Sequence, residues 1–351
     1  MRDAIQQEEQ NTMLLAESDG CAVWQLRNET GEGTVTCYTI FPGVELRFRD
    51  LHMTHCVCGK TDDRMRLTIE HCREGRMAYA LGEGAFSYVS TGEMKLENSA
   101  SCSQKLDLPS GHYHGLVVTL DPEQASRSLP NVMAGFSVTP AAILRRFALN
   151  KTPKVIACTE RVAHIFEEMY RVPEKARISY FQIKILELLL ALDSMTPPKE
   201  NTAHPYFYKT QLEKTKAVRD FLAEHISENF TQEELSARFD FALTPMKTCF
   251  KAAYGTSIGA WLTDYRMNYA AEILLREKRR NIAEIAAQVG YDSASKFAAA
   301  FKKVKHMTPA EYRSALREIQ NKAVKFQYNG ASLFLKSQKS FTCDLFSCVV
   351  E

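Results

Sequence analysis

Between residues 211 and 315 apolar positions recur at helical spacing, and they do so twice in the same order. Glu234-Leu235-Ser236-Ala237-Arg238-Phe239-Asp240-Phe241 aligns with Glu284-Ile285-Ala286-Ala287-Gln288-Val289-Gly290-Tyr291 at an offset of 50. Beyond a turn the offset becomes 51, which sets Met246 on Phe297, Phe250-Lys251 on Phe301-Lys302, Gly255 on His306 and Ser257 on Thr308. Each copy predicts a short helix, a tight connection and a second helix whose apolar residues face inward. Thr231 with Glu234, and Asn281 with Glu284, read as capping boxes, and Thr308-Pro309-Ala310-Glu311 opens a further helix. Ala242 offers no side-chain cap to the second helix of the first copy, and Thr244-Pro245 is expected to cap it two residues later. A long helix over Ile258–Arg276 joins the copies, and one over Gln211–Asn229 precedes them, burying Val218, Phe221, Leu222 and Ile226.

The pattern upstream is different. From Cys21 to Leu120, short β-branched and aromatic runs alternate with Gly, Asn and Asp, so Thr34–Phe41, Arg66–His71, Arg76–Leu81, Ser87–Ser90 and Gly115–Leu120 read as strands. Gly75, Gly82, Gly84, Gly92 and Asn98-Ser99 read as turns between them. Many short strands indicate a sandwich or barrel. From Pro140 the period becomes helical, with helices over Thr159–Tyr170 and Ala176–Ser194; Ile178, Phe181, Ile185, Leu188, Leu189 and Leu192 form an apolar stripe on the latter, either core or a dimer seam. The expected organisation is a flexible N-terminus (1–20), a β-rich domain (21–150), helices (151–195), a Pro-containing linker (196–208), the duplicated helical domain (209–317) and a tail (318–351) in which Asn329-Gly330 suggests a hairpin. The fold class is multidomain α+β, all-β first and all-α second.

Charge sharpens the picture. Lys209–Arg317 holds 18 Lys/Arg against 13 Asp/Glu, while residues 1–208 are mildly acidic. A basic helical half beside an acidic β half suits phosphate contact. Ten cysteines show no Cys-x-x-Cys pair, the N-terminus lacks a signal-peptide pattern, and no apolar run reaches spanning length. A cytoplasmic protein with reduced thiols and no membrane partner is expected.

Candidate chemistry in the β half is sparse. His52, His55, Cys56 and Cys58, with His71-Cys72 and the His112-x-His114 pair, are types that ligate transition metals. No Glu follows His114 closely, however, and alternating histidines also describe a solvated strand face; no metal and no cofactor is expected. Arg73 and the Glu74-Gly75-Arg76 turn offer either a cationic spot or an ordinary charged hairpin tip. No effector-binding residue and no catalytic residue can be assigned.

Ile282-Ala283-Glu284-Ile285-Ala286 with Val289-Gly290-Tyr291, then Ser295, Phe297, Phe301-Lys302-Lys303 and Thr308-Pro309-Ala310-Glu311-Tyr312-Arg313, resembles the DNA-binding domain of the AraC/XylS family of bacterial transcription regulators. The resemblance covers residues 211–315, with His306 where the family usually has Gly. It implies base reading by Thr244, Lys247 and Thr248 from the first recognition helix and by Ser295, Lys296 and Ala299 from the second, with Lys251, Lys302 and Lys303 on phosphates. It implies a cupin-like barrel in the β half that binds a small-molecule effector, a homodimer through Ile178, Phe181, Ile185, Leu189 and Leu192, promoter DNA as partner, contact with RNA polymerase, and no enzymatic activity. Two other readings remain: a metal-binding cupin enzyme fused to a DNA-binding domain, and a constitutive regulator whose β domain only dimerises.

Overall fold

Alternating burial builds the first half. A computed structural model describes residues 12–315 apart from 19, 58–64, 83, 99–104, 133–134, 150–151, 198–204 and 278. Its strands are β1 Thr12–Ser18, β2 Cys21–Asn28, β3 Gly31–Phe41, β4 Val44–His52, β5 His55–Val57, β6 Leu67–Gly82, β7 Ala85–Ser90, β8 Glu93–Asn98, β9 Lys105–Asp107, β10 Tyr113–Leu120, β11 Lys154–Ala157 and β12 Phe207–Tyr208. All pairings are antiparallel, in the order β1-β2-β3-β4-β10-β6-β7-β12, with β8 and β9 also on β6, β11 on β8 and β5 on β9. Along β2 the period of two buries Ala22, Trp24 and Leu26. With Cys37, Leu51, Met53, Met77, Tyr79, Val89 and Tyr113 these form one apolar cluster. Large side chains therefore fill this part of the β half.

The opposite cluster is made with helices. These are α1 Pro122–Val132, α2 Pro140–Arg146, α3 Glu160–Tyr170 and α4 Arg177–Ser194. Thr159 caps α3 by accepting from the Val162 amide. Phe181, Ile185, Leu189 and Leu192 of α4 are buried, Ile178 partly so, and they pack with Tyr38, Ile40, Leu46, Leu116 and Val118 of the sheet and with Ile165, Phe166 and Met169 of α3. Each fully buried Leu or Ile contributes about 1.5–3 kcal/mol there. The stripe expected as a dimer seam is thus core of the same chain, because the sheet presents a matching apolar face. The apolar residues that α4 leaves exposed are Ile183 and Leu190.

Two polar groups are buried on purpose-built partners. Glu70, 2 % exposed, receives Arg49 Nη1 at 2.6 Å, Lys95 Nζ at 3.2 Å and the Tyr113 hydroxyl at 3.1 Å. Burial alone raises a carboxyl's pKa, but the Arg49 and Lys95 charges outweigh it and hold Glu70 below the ordinary range. His71 stacks on Phe166 with ring centroids 4.2 Å apart, and burial pushes its pKa down to about 4, helped by Arg73.

Several expectations need correction. Thr12–Ser18, placed in a flexible N-terminus, is a strand paired with β2. Gly75 is no hairpin tip: Leu67–Gly82 is one strand, and Gly75 (φ +83°) sits beside a bulge opposite His114/Gly115. A Cβ on Gly75 would lie 2.1 Å from the His112 carbonyl oxygen, so the position needs glycine for close approach. Lys154–Ala157 is a strand inside the stretch read as helical. The possible 324–336 hairpin and Cys58 lie outside the described residues.

The second half continues with α5 Lys209–Glu224, α6 Gln232–Arg238, α7 Leu243–Tyr254, α8 Ile258–Arg276, α9 Ile282–Gln288, α10 Ala294–Lys305 and a helix over 309–315. Helix α5 ends five residues before the expected Asn229. Packing divides the described residues at a different place from the linker: those up to 221 with 231–258 make one compact unit, and 222–230 with 259–315 make the other. Among the described residues no helix is long and apolar enough to cross a membrane.

Candidate nucleic-acid interface

The two copies seen in the sequence are copies in backbone as well. Thr231 and Glu234 form a reciprocal box at the start of α6: the Glu234 amide donates to Thr231 Oγ1 at 3.2 Å, and the Thr231 amide donates to Glu234 Oε2 at 2.7 Å. At the start of α9 the cap is simpler than expected, since Asn281 Oδ1 accepts from the Ala283 amide at 3.0 Å while the Glu284 carboxylate lies 3.8 Å from Arg280 Nε. The turn residues Asp240 and Gly290 both have positive φ, +43° and +79°. Gly255 and His306 both end the following helix in the left-handed conformation, at +78° and +60°.

Helix α7 carries two stripes of identical spacing. Met246, Cys249, Phe250 and Ala253 are buried, while Thr244, Lys247, Thr248 and Lys251 are exposed. Ala242 is the N-cap and makes no side-chain cap bond; Thr244 and Pro245 lie within the first turn, so the expected later start is corrected. Pro is tolerated there because first-turn amides have no intrahelical acceptor. The Thr248 hydroxyl donates to the Thr244 carbonyl at 3.0 Å, which leaves its methyl and its oxygen lone pair outward.

In α10 the buried pair is Phe297 and Phe301, clustered with Ile285, Val289, Met267, Leu274 and Tyr312. Ser295, Lys296, Ala299, Lys302 and Lys303 are exposed on the other side. Ser293 caps this helix, so its first amides point outward from an electropositive end. All nine residues expected to face DNA are therefore at the surface, four on one helix and five on the other. The basic tips on α10 belong to its last turns, where they also complement the helix dipole.

Sequence reasoning missed one arginine and left the role of another open. Arg266 on α8 is 7 % exposed and donates Nε to the Ile226 carbonyl at 2.8 Å, Nη1 to Asn229 Oδ1 at 3.0 Å and Nη2 to the Glu228 carbonyl at 2.6 Å. A Cβ at Gly290 would come within 2.7 Å of that guanidinium, so the glycine of the second turn makes room for the buried charge. An arginine among apolar helix positions was the available signal.

Arg76 was read as part of either a cationic spot or a charged hairpin tip. Its Nη1 donates to Ser90 Oγ at 2.7 Å and to the Ala252 carbonyl of α7 at 2.9 Å. Around it, Ser87, Tyr88, Glu93 and Phe207 meet Lys247, Thr248 and Lys251 across an open cleft of about 610 Å3. Arg73, the other half of that cationic spot, lies instead over the Tyr170 ring at 4.6 Å. The exposed surface of α7 that is expected to read bases thus borders strand β7.

Of the remaining candidates, His52 and His112 face each other at 3.4 Å and the others scatter. His55 faces Glu29 at 3.2 Å and Cys56 is buried, so the His/Cys run near 52–58 does not converge among the described residues. Burial raises the thiol pKa of Cys37 to about 11 and of Cys72 and Cys158 to about 12, which makes them poor nucleophiles.

Residues 235–315 match the family described as "Helix-turn-helix domain". Among curated proteins, the HTH-type transcriptional regulator ExsA of Pseudomonas aeruginosa is 29 % identical over 102 residues, 29 % of this chain and 36 % of ExsA. The first of these relatives are thus matched over about a third of their length. The HTH-type transcriptional activator RhaR of Yersinia pseudotuberculosis is 23 % identical over 239 residues, covering 68 % of this chain and 73 % of RhaR. Among solved structures, the DNA-binding domain of AdpA in complex with a target DNA is 26 % identical, covers 31 % of this chain and 96 % of its own, and has a TM-score of 0.29.

Proposed function

We propose that the whole protein is a sequence-specific DNA-binding transcription regulator of the AraC/XylS type whose β half senses a small-molecule effector, a reading supported by the match of residues 235–315 to a helix-turn-helix domain and by the relatives named above. The observation that carries this reading is the outward placement of Thr244, Lys247, Thr248 and Lys251 on α7 and of Ser295, Lys296, Ala299, Lys302 and Lys303 on α10. Helices of about twelve residues with such faces suit the major groove, where lysine meets guanine acceptors and the alanine methyl meets thymine. Lys251, Lys302 and Lys303 hold phosphates; the others read base edges.

Regulation follows from the cleft. An effector acts only if it binds one arrangement better than another. Arg76 holds α7 to β6 and β7, so a ligand that closes or opens this cleft changes how freely the first reader reaches DNA. Packing of Trp24, Met53, Met77, Tyr79 and Tyr113 supports a site at the cleft over one within their cluster. Homodimerisation, if it runs along α4, uses Ile183 and Leu190, and contact with RNA polymerase belongs to the same reading of the protein as an activator or repressor at promoters.

The test is binding of the full chain to DNA from its own upstream region. Saturable, sequence-dependent binding that weakens steeply with salt is expected. Binding with equal affinity to any duplex at every salt concentration would count against the specific-regulator reading.

A further inference from the structure

Strands β4 and β10 are neighbours with Leu51 opposite Tyr113. The period of two therefore sets Asp50, His52, His112 and His114 on one face, and Glu74 of β6 lies opposite His114 on the other side. Asp50, His52 and His112 offer ligand atoms that all lie within 4.8 Å of one another.

The orientation of the two rings is the informative part. His52 Nε2 faces Asp50 Oδ1 at 3.1 Å, and His112 Nε2 faces Glu74 Oε2 at 3.3 Å. A carboxylate only accepts, so each Nε2 carries the proton when its imidazole is neutral. Both Nδ1 atoms are then bare lone pairs, and they face each other at 3.4 Å. Two lone pairs at that distance repel unless something electrophilic lies between them.

The geometry points to a divalent transition-metal site of the zinc class, with His52 Nδ1 and His112 Nδ1 as ligands, the Asp50 and Glu74 carboxylates orienting the two rings from behind and water completing the shell. Two nitrogens about 2.0–2.1 Å from zinc at a tetrahedral angle are about 3.3–3.4 Å apart, which matches the separation found. Imidazole suits zinc, copper and nickel, and the carboxylate behind each ring raises its basicity as ligand. The side chains of Asp50 and His52 are about half exposed and that of His112 is 34 % exposed, so the ion has an open path. The sequence separates His52 and His112 by 60 residues, and only the strand pairing brings them together.

Full-length protein freed of metal by a chelator is titrated with zinc in a calorimeter, alongside His52→Gln, His112→Gln, Glu74→Gln and, as a control, His55→Gln. These side chains are at the surface or half-buried, and circular dichroism checks that each variant is folded. One zinc per chain is expected at this site. The affinity should fall at least tenfold in His52→Gln and His112→Gln, by about tenfold in Glu74→Gln, and not at all in His55→Gln. Wild-type zinc uptake in His52→Gln and His112→Gln, or no saturable uptake by the native protein, overturns the proposal; in the latter case a shared proton bridges the two nitrogens.

Discussion

Arg76 of the sheet and Ala252 of the first reader are joined by one hydrogen bond, from guanidinium Nη1 to a main-chain carbonyl at 2.9 Å. The acceptor lies in the last turn of α7, where carbonyls lack intrahelical partners and the helix dipole is negative. A charged donor at a helix C-terminus is therefore held at both ends of its geometry, by Ser90 on the strand and by Ala252 on the helix.

Replacing that guanidinium should release α7. A hydrogen bond to a charged group is worth about 1.5–3 kcal/mol, so Arg76→Ala is expected to speed amide exchange in α7 by roughly tenfold or more and to raise DNA affinity. Exchange at the wild-type rate in this helix would show that the contact does not restrain it.

Base readers and phosphate anchors separate by salt. Lys296→Ala should lose about 1–3 kcal/mol of discrimination between a cognate site and one altered at the contacted base. Lys302→Ala should weaken binding to all sequences alike and lower the slope of log affinity against log salt by about one. Equal loss on every sequence for Lys296→Ala moves that residue to the phosphate group.

His306 occupies a position where its own counterpart, Gly255, is glycine, and both are left-handed. A β-carbon there costs about 1–2 kcal/mol, partly offset by the extra freedom glycine has when unfolded. His306→Gly is expected to stabilise the protein by about 0.5–1 kcal/mol, seen as a higher denaturant midpoint at constant slope. A lower midpoint contradicts the strain argument.

Glu70 is surrounded by cations it must keep. Removing Arg49 leaves a buried carboxylate short of one partner, and Arg49→Met is expected to cost about 3–5 kcal/mol, while Glu70→Gln should also destabilise by taking from Lys95 one of its two carboxylates, the other being Glu97. Because the folded carboxyl pKa is depressed, this contribution is present at neutral pH and lost as pH falls through the folded pKa, below the unfolded value. Urea titrations at stepped pH measure both effects.

His71 gives a second acid sensitivity at higher pH. Its folded pKa of about 4 lies below the unfolded value near 6.5, so the unfolded chain binds more protons in that window. Stability is full above about pH 6.5 and is lost as pH falls toward 4, by up to about 3 kcal/mol. His71→Asn should flatten that part of the profile, and a slope unchanged from wild type sinks the assignment.

The helical half was nearly all legible. Leu235, Met246 and Phe250, and their counterparts Ile285, Phe297 and Phe301, carry a local period that needs no tertiary knowledge, and the bounds of α8 follow from it. Caps were less so: Ala242 does begin α7, because packing of Met246 and Phe250 outweighs the missing side-chain bond. Strands depend on partners distant in sequence, which is why β1, β2, β4, β5, β8, β9, β11 and β12 escaped notice and why Gly75 looked like a turn. The α4 stripe was ambiguous in principle, since Ile185 and Leu189 have the same spacing whether they meet a sheet or a second copy. Arg76 and the His52–His112 pair were visible as residues but not as relationships.

The short strand β12 has a consequence for anyone dividing this chain. Phe207 and Tyr208 pair with Phe86 and Ala85, the Ser87 hydroxyl donates to the Pro205 carbonyl, and the Phe207 ring lies 6.0 Å from Tyr88. Residues 205–208, the end of the stretch that reads as a tether, cover the outer edge of β7. Cutting at the prolines would bare that edge, its unpaired amides and carbonyls and an aromatic socket, and such an edge recruits strands from neighbouring molecules. A fragment ending near residue 195 is then expected to self-associate, whereas one carried through Tyr208 keeps the edge covered.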